Sequence, residues 1–340
     1  MAIDDLNLEI LGPHLETKVE GFKGLRSAEK FAHGQSNPTF LLTAESGQYV
    51  LRSQPPGELL KSAHAVDREY RVIKALRGTG VPVAKAYYLC EDREVIGSMF
   101  YVMSFEQGRI FWNPALPELN KGQRAGIYDE LNRVLAALHD VDFEAAGLGD
   151  YGYPGNYFER QISRWSKQYR ASETETIKAM DQLMEWLPAN LPVDDGKVSL
   201  IHGDYRLDNV IFHPTEARAL ALLDWELSTL GHPYADLAYQ CMQLRVGQNV
   251  VISSLGDIDR NALGIPSEEA YVARYCERRG LDGIPHWNFY LIFGFFRVAA
   301  ILQGILKRAI DGNASSQKAF DYGALAPTLA TMAVELIQEG

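Results

Sequence analysis

Two acidic residues and one amide in a short segment have the types and spacing to do chemistry. Residues 200–226 read LIHGDYRLDNVIFHPTEARALALLDWE, with Asp204 and Asp224 twenty positions apart and Asn209 between them. Short apolar runs border these residues, and a turn signal at 213–214 separates the last two runs, which predicts strands joined in a hairpin. The loop entering the hairpin would carry Asp204 and Asn209, and the loop leaving it would carry Asp224. One base and two hard oxygen ligands at one rim indicate phosphoryl transfer from a magnesium nucleotide.

Charge gives each polar group of this segment an expected role. We expect Asp204 to accept or orient the proton of an attacking hydroxyl, and Asn209 and Asp224 to hold the Mg²⁺ that bridges the terminal phosphates. Arg206 would bring a guanidinium to the transferred group, where negative charge accumulates. His202 is expected to pack beneath the loop and to hydrogen-bond the backbone. The alternative is a tight turn with solvated carboxylates, which the spacing of the whole set disfavours.

The same segment, together with other strings in the chain, resembles a known family. H-G-D-x-x-x-x-N at 202–209, followed by L-L-D-W-E at 222–226, resembles the aminoglycoside phosphotransferase family, whose members are relatives of the protein kinases. Further strings resemble the branch that includes the kinase-like domain fused to certain acyl-CoA dehydrogenases: GQSNPTF at 34–40, YVLR at 49–52, DREY at 67–70, FYVM at 100–103, QGRIF at 107–111 and STLGHPYADLA at 228–238. The match runs from about residue 30 to residue 316.

The resemblance implies an α+β, protein-kinase-like bilobal fold. A small antiparallel-sheet N-lobe with one helix, residues 1–105, would bind the nucleotide. A larger and mostly helical C-lobe, residues 106–340, would carry the catalytic loop, the metal site and the acceptor site. Apolar patterns agree. They predict strands at 39–43, 48–52, 86–90 and 99–103 with a helix at 65–76, and then helices at 124–139, 157–169, 173–187, 234–243, 267–279 and 287–306.

The N-terminal part has candidate phosphate-binding residues in a loop and at a strand end. The loop at 34–37 could reach phosphates through backbone N–H groups, the Ser36 hydroxyl and Asn37, although a plain hairpin turn is the alternative. Arg52 stands where the resemblance implies a phosphate-binding lysine, and its planar donor fork would change the geometry of that contact. Glu69 is expected to hold the Arg52 guanidinium. The alternative is a surface pair of Glu69 with a neighbouring arginine of the helix.

Two further expectations follow from the resemblance, and a third follows from the position of Asp236 at the start of a predicted helix. Met103 would pack against the adenine ring, and the backbone from Ser104 to Glu106 would contact the edge of that ring. The alternative is that residues 100–103 are an apolar core strand without a nucleotide contact. The sequence Asp-Trp-Glu at 224–226 departs from the Asp-Phe-Gly of protein kinases, which predicts a site without a flipping activation segment. Asp236 is expected to cap its helix or to brace the catalytic loop.

The acceptor site is predicted from a basic helix. Tyr157, Arg160 and Arg164 lie on the helix at 157–169, and Arg297 adds a further cation, so we expect an anionic acceptor such as a hydroxy acid or a hydroxyacyl thioester. An amphipathic surface helix with solvated arginines is the alternative. Other functions compatible with part of the pattern are an aminoglycoside, choline-like or sugar kinase, a silent nucleotide-binding module and a metal-dependent hydrolase.

Composition limits the class of protein. A chain of 340 residues that is 46% hydrophobic can bury a large core, and a net charge of -11 disfavours nucleic-acid or anionic-membrane partners. Three dispersed cysteines and the acidic start MAIDDLNLEI predict a cytoplasmic protein. The apolar stretch at 287–306 contains polar groups, so a buried helix is expected rather than a membrane span. The expected cofactors are ATP or GTP and Mg²⁺, the expected partner is a small-molecule substrate, and no oligomeric state is predicted.

Overall fold

A computed structural model describes residues 6–31, 37–55, 64–247, 254–312 and 318–339. The strands are β1 Leu25–Lys30, β2 Thr39–Ala44, β3 Gly47–Ser53, β4 Ala86–Cys90, β5 Phe100–Ser104, β6 Ser199–Ile201, β7 Val210–Phe212, β8 Ala219–Leu222 and β9 Thr229–Gly231. The helices are α1 Leu8–Lys18, α2 Val66–Leu76, α3 Lys121–His139, α4 Tyr157–Ser172, α5 Lys178–Ala189, α6 Tyr234–Arg245, α7 Arg260–Leu263, α8 Glu268–Arg279, α9 Trp287–Ile310, α10 Lys318–Gly323 and α11 Ala326–Gln338.

The chain divides into two compact units. The sheet unit comprises Met1–Ile110, Asp142–Leu148 and Asn209–Leu227, and the helical unit comprises Phe111–Val141, Gly149–Asp208 and Ser228–Gly340. The chain therefore enters the sheet unit immediately before Asn209, so that Asn209 and Asp224 belong to one unit and Asp204 to the other. The functional division predicted at residue 105 stays a prediction.

The sheet unit is built on a five-stranded antiparallel sheet in the order β1-β2-β3-β5-β4. Side chains of β2 alternate between more and less buried positions, which is the period of a strand with one face on a core. Phe40 and Leu42 of β2 share that core with Leu11 and Leu15 of α1. The predicted antiparallel sheet is thus confirmed, and the four predicted strands are found within two residues of their expected bounds.

Helix α1 and strand β1 are additions to the predicted sheet and its single helix. Asn7 caps α1 by accepting hydrogen bonds from the N–H groups of Glu9 and Ile10. Pro13 lies inside α1, and a proline inside a helical pattern argues against a helix. The short β1 carries mostly polar residues at one end of the sheet order, so its apolar alternation is weak. Both elements therefore lacked a clear signal in the sequence.

The predicted hairpin is formed by β7 and β8, with Val210 opposite Leu222. The QGRIF motif holds it within the sheet unit. The N–H of Arg109 donates to the carbonyl of Phe212 at 2.7 Å, and the N–H of Phe212 donates to the carbonyl of Arg109 at 2.8 Å. The backbones meet this closely beside Gly108, where a Cβ would lie 2.3 Å from the Phe212 carbonyl oxygen. A glycine is therefore required for the approach.

Helix α9 is a core helix of the helical unit, as the sequence predicted, and it packs against α4, α6, α10 and α11. It is long and apolar enough to span a membrane by length and composition, but 72% of its apolar window is buried inside the protein. Its buried Gln303 donates from Nε2 to the carbonyl of Ser172 and to Oγ1 of Thr174. These hydrogen bonds account for a polar group within an apolar helix.

One helix start was predicted wrongly. We expected a helix from Glu173, but α5 begins at Lys178, and Glu173 has an extended ψ of 127° at the end of α4. The intervening residues include two threonines, which favour extended backbone over helix. The polar segment between the two helices therefore forms a connection rather than the first turn of α5.

Replacing Gly108 by alanine is expected to destabilise the sheet unit, because the new Cβ would collide with the Phe212 carbonyl oxygen and, at 2.4 Å, with Cγ2 of Ile211. We expect a loss of about 1–3 kcal/mol in the free energy of unfolding, as at overpacked sites, measured by urea denaturation. Gly304→Ala is the matched control, since nothing lies within 4 Å of its Cβ and alanine favours a helix. Equal stability of the two variants would contradict this close contact.

Candidate active site

The string HGD at 202–204, which begins the predicted catalytic loop of residues 202–209, directly follows β6, and β6 pairs with β9. The carboxylate of Asp236, in the first turn of α6, accepts hydrogen bonds from the N–H of His202 at 2.6 Å and the N–H of Gly203 at 2.8 Å. Asp236 is 1% exposed. Asp236 was expected either to cap its helix or to brace the loop. The structure shows the second, because α6 has no side-chain cap and the carboxylate binds the loop backbone.

A buried histidine and a tyrosine support Asp236. His139 lies with Nε2 3.5 Å from Oδ2 of Asp236, and its Nδ1 is hydrogen-bonded to the hydroxyl of Tyr275 at 2.7 Å. Burial alone would raise the pKa of Asp236, but the hydrogen bonds from His139 and from the backbone of His202 lower it below its usual value. Burial lowers the pKa of His139. The carboxylate is therefore held in its charged form, which is the better acceptor for the loop N–H groups.

The side chain of Asp204 is contacted by residues of the helical unit. The hydroxyl of Tyr239 donates to Oδ1 of Asp204 at 2.5 Å, and Nε of Arg206 lies 3.4 Å from the same oxygen. Nη2 of Arg206 lies 3.0 Å from Oδ2 of Asp208. His202 is fully buried and its Nδ1 accepts from the N–H of Asp204 at 3.3 Å, as expected of a residue beneath the loop. The catalytic roles of Asp204 and Arg206 stay predictions.

Arg297 and Arg164, both expected to meet the acceptor, are brought to the same indole ring. The Arg297 guanidinium is 5.8 Å from the centre of the Trp165 ring, and that of Arg164 is 5.3 Å from it. Arg297 is 8% exposed and donates from Nη2 to the carbonyl of Gly203 at 2.8 Å. Arg297 thus contacts the catalytic loop itself, and its contact with an acceptor stays a prediction.

The two remaining acceptor candidates differ in exposure. Tyr157 is buried, and its ring packs so closely on β9 that a Cβ at Gly231 would lie 2.7 Å from it. Burial also raises the pKa of Tyr157. Arg160 is exposed and donates from Nη2 to the carbonyl of Tyr153 at 2.5 Å. Their contacts with an acceptor stay predictions. A shallow depression of about 720 Å³ on α4 is lined by Glu159, Arg160, Ser163, Arg164, Lys167 and Gln168.

The sheet unit contains the expected pair of Arg52 and Glu69. Nε of Arg52 lies 2.8 Å from Oε2 of Glu69, and Nη2 of Arg52 donates to Oδ1 of Asp224 at 2.9 Å. Glu69 is 1% exposed and also accepts from the Tyr101 hydroxyl at 3.1 Å and from Nδ2 of Asn37 at 2.9 Å. Burial alone would lower the pKa of Arg52, but the carboxylates of Glu69 and Asp224 raise it. The alternative of a surface pair for Glu69 is therefore wrong.

The two expected metal ligands lie at the same end of the β7–β8 hairpin. The N–H of Leu223 donates to the carbonyl of Asn209 at 2.8 Å, which joins the residue before β7 to the residue before Asp224. Asp224 has a left-handed φ of 65°, a conformation that aspartate and asparagine tolerate better than most residues. Such a departure from ordinary backbone geometry is frequent at functional sites.

The donor set of Asn209 and Asp224 fits a hard divalent cation. Among the residues that the structure describes, no group of three or more His, Cys, Asp or Glu side chains could hold a metal. An amide oxygen and one carboxylate would therefore supply only part of a coordination shell. Mg²⁺ is commonly held in this way, with nucleotide phosphates and water as the remaining ligands.

The other nucleotide-binding candidates have varied surroundings. Ser36 lies outside the described residues. Asn37 is fully buried, with its side chain on Glu69 and on Nδ1 of His64. Met103 is 8% exposed within β5. The N–H of Ser104 donates to the carbonyl of Lys85, and its hydroxyl donates to Oε1 of Glu106 at 2.5 Å. The predicted contacts of these residues with a nucleotide stay predictions.

Tyr239 and Tyr101 are polar contacts of the candidate residues that sequence reasoning missed. Tyr239 had a usable signal, since it follows Asp236 by three positions and therefore lies on the same face of α6. Tyr101 had no such signal in the sequence, because a tyrosine in an apolar strand is expected to be an ordinary core residue. Its hydroxyl becomes informative only once it is known to meet Glu69.

Asp236→Asn is expected to lower the free energy of unfolding by about 3 kcal/mol at neutral pH. The N–H groups of His202 and Gly203 donate to different oxygens of Asp236, and asparagine has an NH2 donor in place of one of them. The pKa of Asp236 is lowered in the folded protein, so its stabilisation is complete above the unfolded value of about 3.9 and is lost as the pH falls through the lower folded value. Urea denaturation should therefore show that the difference in the free energy of unfolding between the wild type and Asp236→Asn becomes smaller at acidic pH. A difference that does not change with pH would contradict the account.

The chain matches a known protein family and longer proteins that contain a similar region. The model of the phosphotransferase enzyme family, APH, matches residues 27–286. Acyl-CoA dehydrogenase family member 10 of Mus musculus is 46% identical over 325 residues, which are 94% of this chain and 30% of the relative. Family member 11 of Homo sapiens is 43% identical over 331 residues, 96% of this chain and 42% of the relative. The chain thus spans less than half the length of these relatives.

Solved structures are similar over nearly the whole chain. A candidate aminoglycoside phosphotransferase from Ralstonia eutropha JMP134 is 51% identical, with a TM-score of 0.92 and coverage of 98% of this chain and 99% of that one. Choline kinase from Cryptosporidium parvum Iowa II shares the fold at 13% identity, with a TM-score of 0.65 and coverage of 98% and 96%. The chain therefore belongs to the APH phosphotransferase family and has its protein-kinase-like fold.

Proposed function

We propose that this phosphotransferase moves the γ-phosphoryl group of ATP, in its Mg²⁺ complex, to the hydroxyl of a small anionic acceptor, a hydroxy acid or a hydroxyacyl-CoA. The observation that supports the proposal is the placement of two sets of oxygen groups: Asp204 in the HGD string that follows β6, and Asn209 and Asp224 at one end of the β7–β8 hairpin. GTP is the alternative donor.

The proposed reaction is a direct displacement. Asp204 accepts the proton of the acceptor hydroxyl as that oxygen forms a bond to the γ-phosphorus. The bond from the γ-phosphorus to the bridging oxygen breaks, and ADP leaves with the electron pair. Bound Mg²⁺ would neutralise charge on the terminal phosphates. Asn209 and Asp224 would hold it, and Arg206 would face the transferred group.

Arg52 is the proposed phosphate contact of the sheet unit. Its guanidinium is permanently charged, and Glu69 and Asp224 fix its orientation from two sides. A planar guanidinium held in one orientation can present donors to phosphate oxygens in a defined geometry. The ion pair with Glu69 thus gives Arg52 the positioning that a long side chain otherwise lacks.

The anionic acceptor is proposed from the charges of α4. The exposed depression carries Arg160, Arg164 and Lys167 against the single carboxylate of Glu159. Cations attract the carboxylate of a hydroxy acid or the phosphates of coenzyme A, and they repel a polycationic aminoglycoside. The names of the curated relatives associate them with acyl-CoA chemistry, which agrees with a thioester acceptor.

An aminoglycoside acceptor is the second candidate, favoured by the description of the similar protein from Ralstonia eutropha. A choline-like or sugar kinase would have the same fold. A silent nucleotide-binding module is disfavoured, since such a module would be expected to lack part of the base and ligand set. A metal-dependent hydrolase is disfavoured because the described residues offer no metal-binding cluster of His, Cys, Asp and Glu.

Asp204→Asn and Asp224→Asn are expected to separate catalysis from nucleotide binding. Asp204→Asn should lower kcat by at least about 10³-fold while Mg²⁺-dependent ATP binding persists, since only the proton acceptor is lost. Asp224→Asn keeps an acceptor for Arg52 and tolerates the left-handed backbone, but it should lose most Mg²⁺-dependent ATP binding. ADP formation and titration calorimetry provide the two readouts.

Asp282→Asn is the control for these variants, because Asp282 is exposed on a loop of the helical unit. It should retain both activity and nucleotide binding. Full activity in either of the other two variants would refute the corresponding role.

Arg164→Ala combined with Lys167→Ala is expected to raise the KM for an anionic acceptor by about tenfold or more, with a smaller effect on kcat, because two attractive charges are lost. The assay is ADP formation across hydroxy acids, hydroxyacyl-CoAs, amino alcohols and aminoglycosides. Arg308→Ala, a change at an exposed cation at the end of α9, should leave the KM unchanged. Stimulation by aminoglycosides alone would overturn the anionic acceptor.

A further inference from the structure

We propose that Tyr239 is a positioning residue, whose hydroxyl holds the carboxylate of Asp204 in the orientation that receives the acceptor proton. The inference rests on the proposed function, because it presumes that Asp204 acts as the base. Tyr239 acts only through Asp204 and is assigned no contact with substrate.

The first observation is the contact itself. The Tyr239 hydroxyl lies 2.5 Å from Oδ1 of Asp204, which is a short distance for an O–H donor to a carboxylate. Burial raises the pKa of Tyr239, and the charge of Asp204 raises it further. The hydroxyl therefore stays protonated and donates over the whole pH range in which a kinase operates.

The second observation is the helix from which the hydroxyl comes. Asp236 and Tyr239 are three residues apart on α6, and residues with this spacing share one helix face. Asp236 accepts from the N–H groups of His202 and Gly203, and Tyr239 donates to the side chain of Asp204. One face of α6 thus fixes three consecutive residues. It binds His202 and Gly203 through their backbone N–H groups and Asp204 through its side chain.

The third observation is that the Tyr239 ring is itself held. The guanidinium of Arg297 lies 5.5 Å from the centre of this ring and 5.8 Å from that of Trp165. Its Nη2 donates to the carbonyl of Gly203, the residue before Asp204. A cation on an aromatic face stabilises both partners when they are partly buried. The ring therefore has a defined position from which its hydroxyl can restrain Asp204.

The restraint has a kinetic consequence. An aspartate side chain that is free to rotate spends only part of its time in the productive orientation, and a misplaced catalytic group lowers the rate of the chemical step. The ground-state binding of ATP and of the acceptor does not depend on this orientation. Loss of the hydroxyl should therefore appear in kcat and not in KM.

Tyr239→Phe is the direct test, because it keeps the ring against Arg297 and removes only the donor. We expect kcat to fall by about 10–100-fold, with the KM for ATP and for the acceptor within about twofold of the wild type. Tyr271→Phe is the matched control. Its hydroxyl is buried and donates to Oε1 of Gln240, the residue after Tyr239 on α6, at 2.8 Å. That variant should lose stability and keep its kcat.

Two further variants distinguish positioning from a structural role. Replacement of Tyr239 by 4-aminophenylalanine keeps a donor at the same ring position and should recover most of the kcat. In an Asp204→Asn background, Tyr239→Phe should leave the residual rate unchanged, because the group through which it acts is already lost. Thermal unfolding of each variant is recorded alongside, so that rates are compared only between folded proteins.

The outcomes are separable. Wild-type kcat in Tyr239→Phe, no recovery with the amino analogue, or a further loss of rate in the Asp204→Asn background would each overturn the positioning role and leave the proposed function intact. Wild-type activity in Asp204→Asn alone would instead overturn the proposed function. A fall in kcat confined to Tyr239→Phe, rescued by the amino analogue and absent from the Asp204→Asn background, would support the inference.

Discussion

The hydrogen bonds of Asp236 to the backbone of His202 and Gly203 are the interaction on which the proposed chemistry of the helical unit depends. Two buried backbone N–H groups, those of His202 and Gly203, need acceptors, and one carboxylate supplies both. Hydrogen bonds to a charged group are each worth about 1.5–3 kcal/mol, more than a neutral turn would gain. With the backbone fixed from below by α6, the side chain of Asp204 remains partly exposed, at 22%, and can meet a substrate.

The sheet unit is likewise organised by a buried carboxylate, that of Glu69. Glu69 is buried, forms an ion pair with Arg52 and accepts hydrogen bonds from Tyr101 and Asn37. Arg52 in turn donates to the partly exposed Asp224. In each unit a buried carboxylate with several polar partners organises the surroundings of a partly exposed carboxylate. Burial makes the inner carboxylate depend on its donors, because an unpaired buried charge is costly. The partly exposed carboxylate is then the one available for the proposed chemistry.

The sequence predicted those features that local pattern or family resemblance encodes. Short extended runs located β2 to β5, the spacing of apolar runs located the β7–β8 hairpin, and the resemblance led to the pair of Arg52 and Glu69. What it missed depends on tertiary packing. Helix α1 contains Pro13, which argues against a helix until Leu11 and Leu15 are seen in the core. The spacing of Tyr239 from Asp236 places both on one face of α6, but the contact of Tyr239 with Asp204 depends on how α6 packs against residues 202–204.

The central claim is transfer of a phosphoryl group from nucleotide to an acceptor hydroxyl, and following the phosphorus–oxygen bonds tests it most directly. ATP would carry ¹⁸O on the non-bridging oxygens of its γ-phosphoryl group and would be incubated with the enzyme, Mg²⁺ and a hydroxy acid or hydroxyacyl-CoA. The masses of the products would then be measured by mass spectrometry. The account predicts a phosphate ester whose non-bridging oxygens carry the label and whose bridging oxygen is the acceptor's own. An unmodified acceptor beside labelled inorganic phosphate, or turnover of the acceptor without nucleotide, would contradict it.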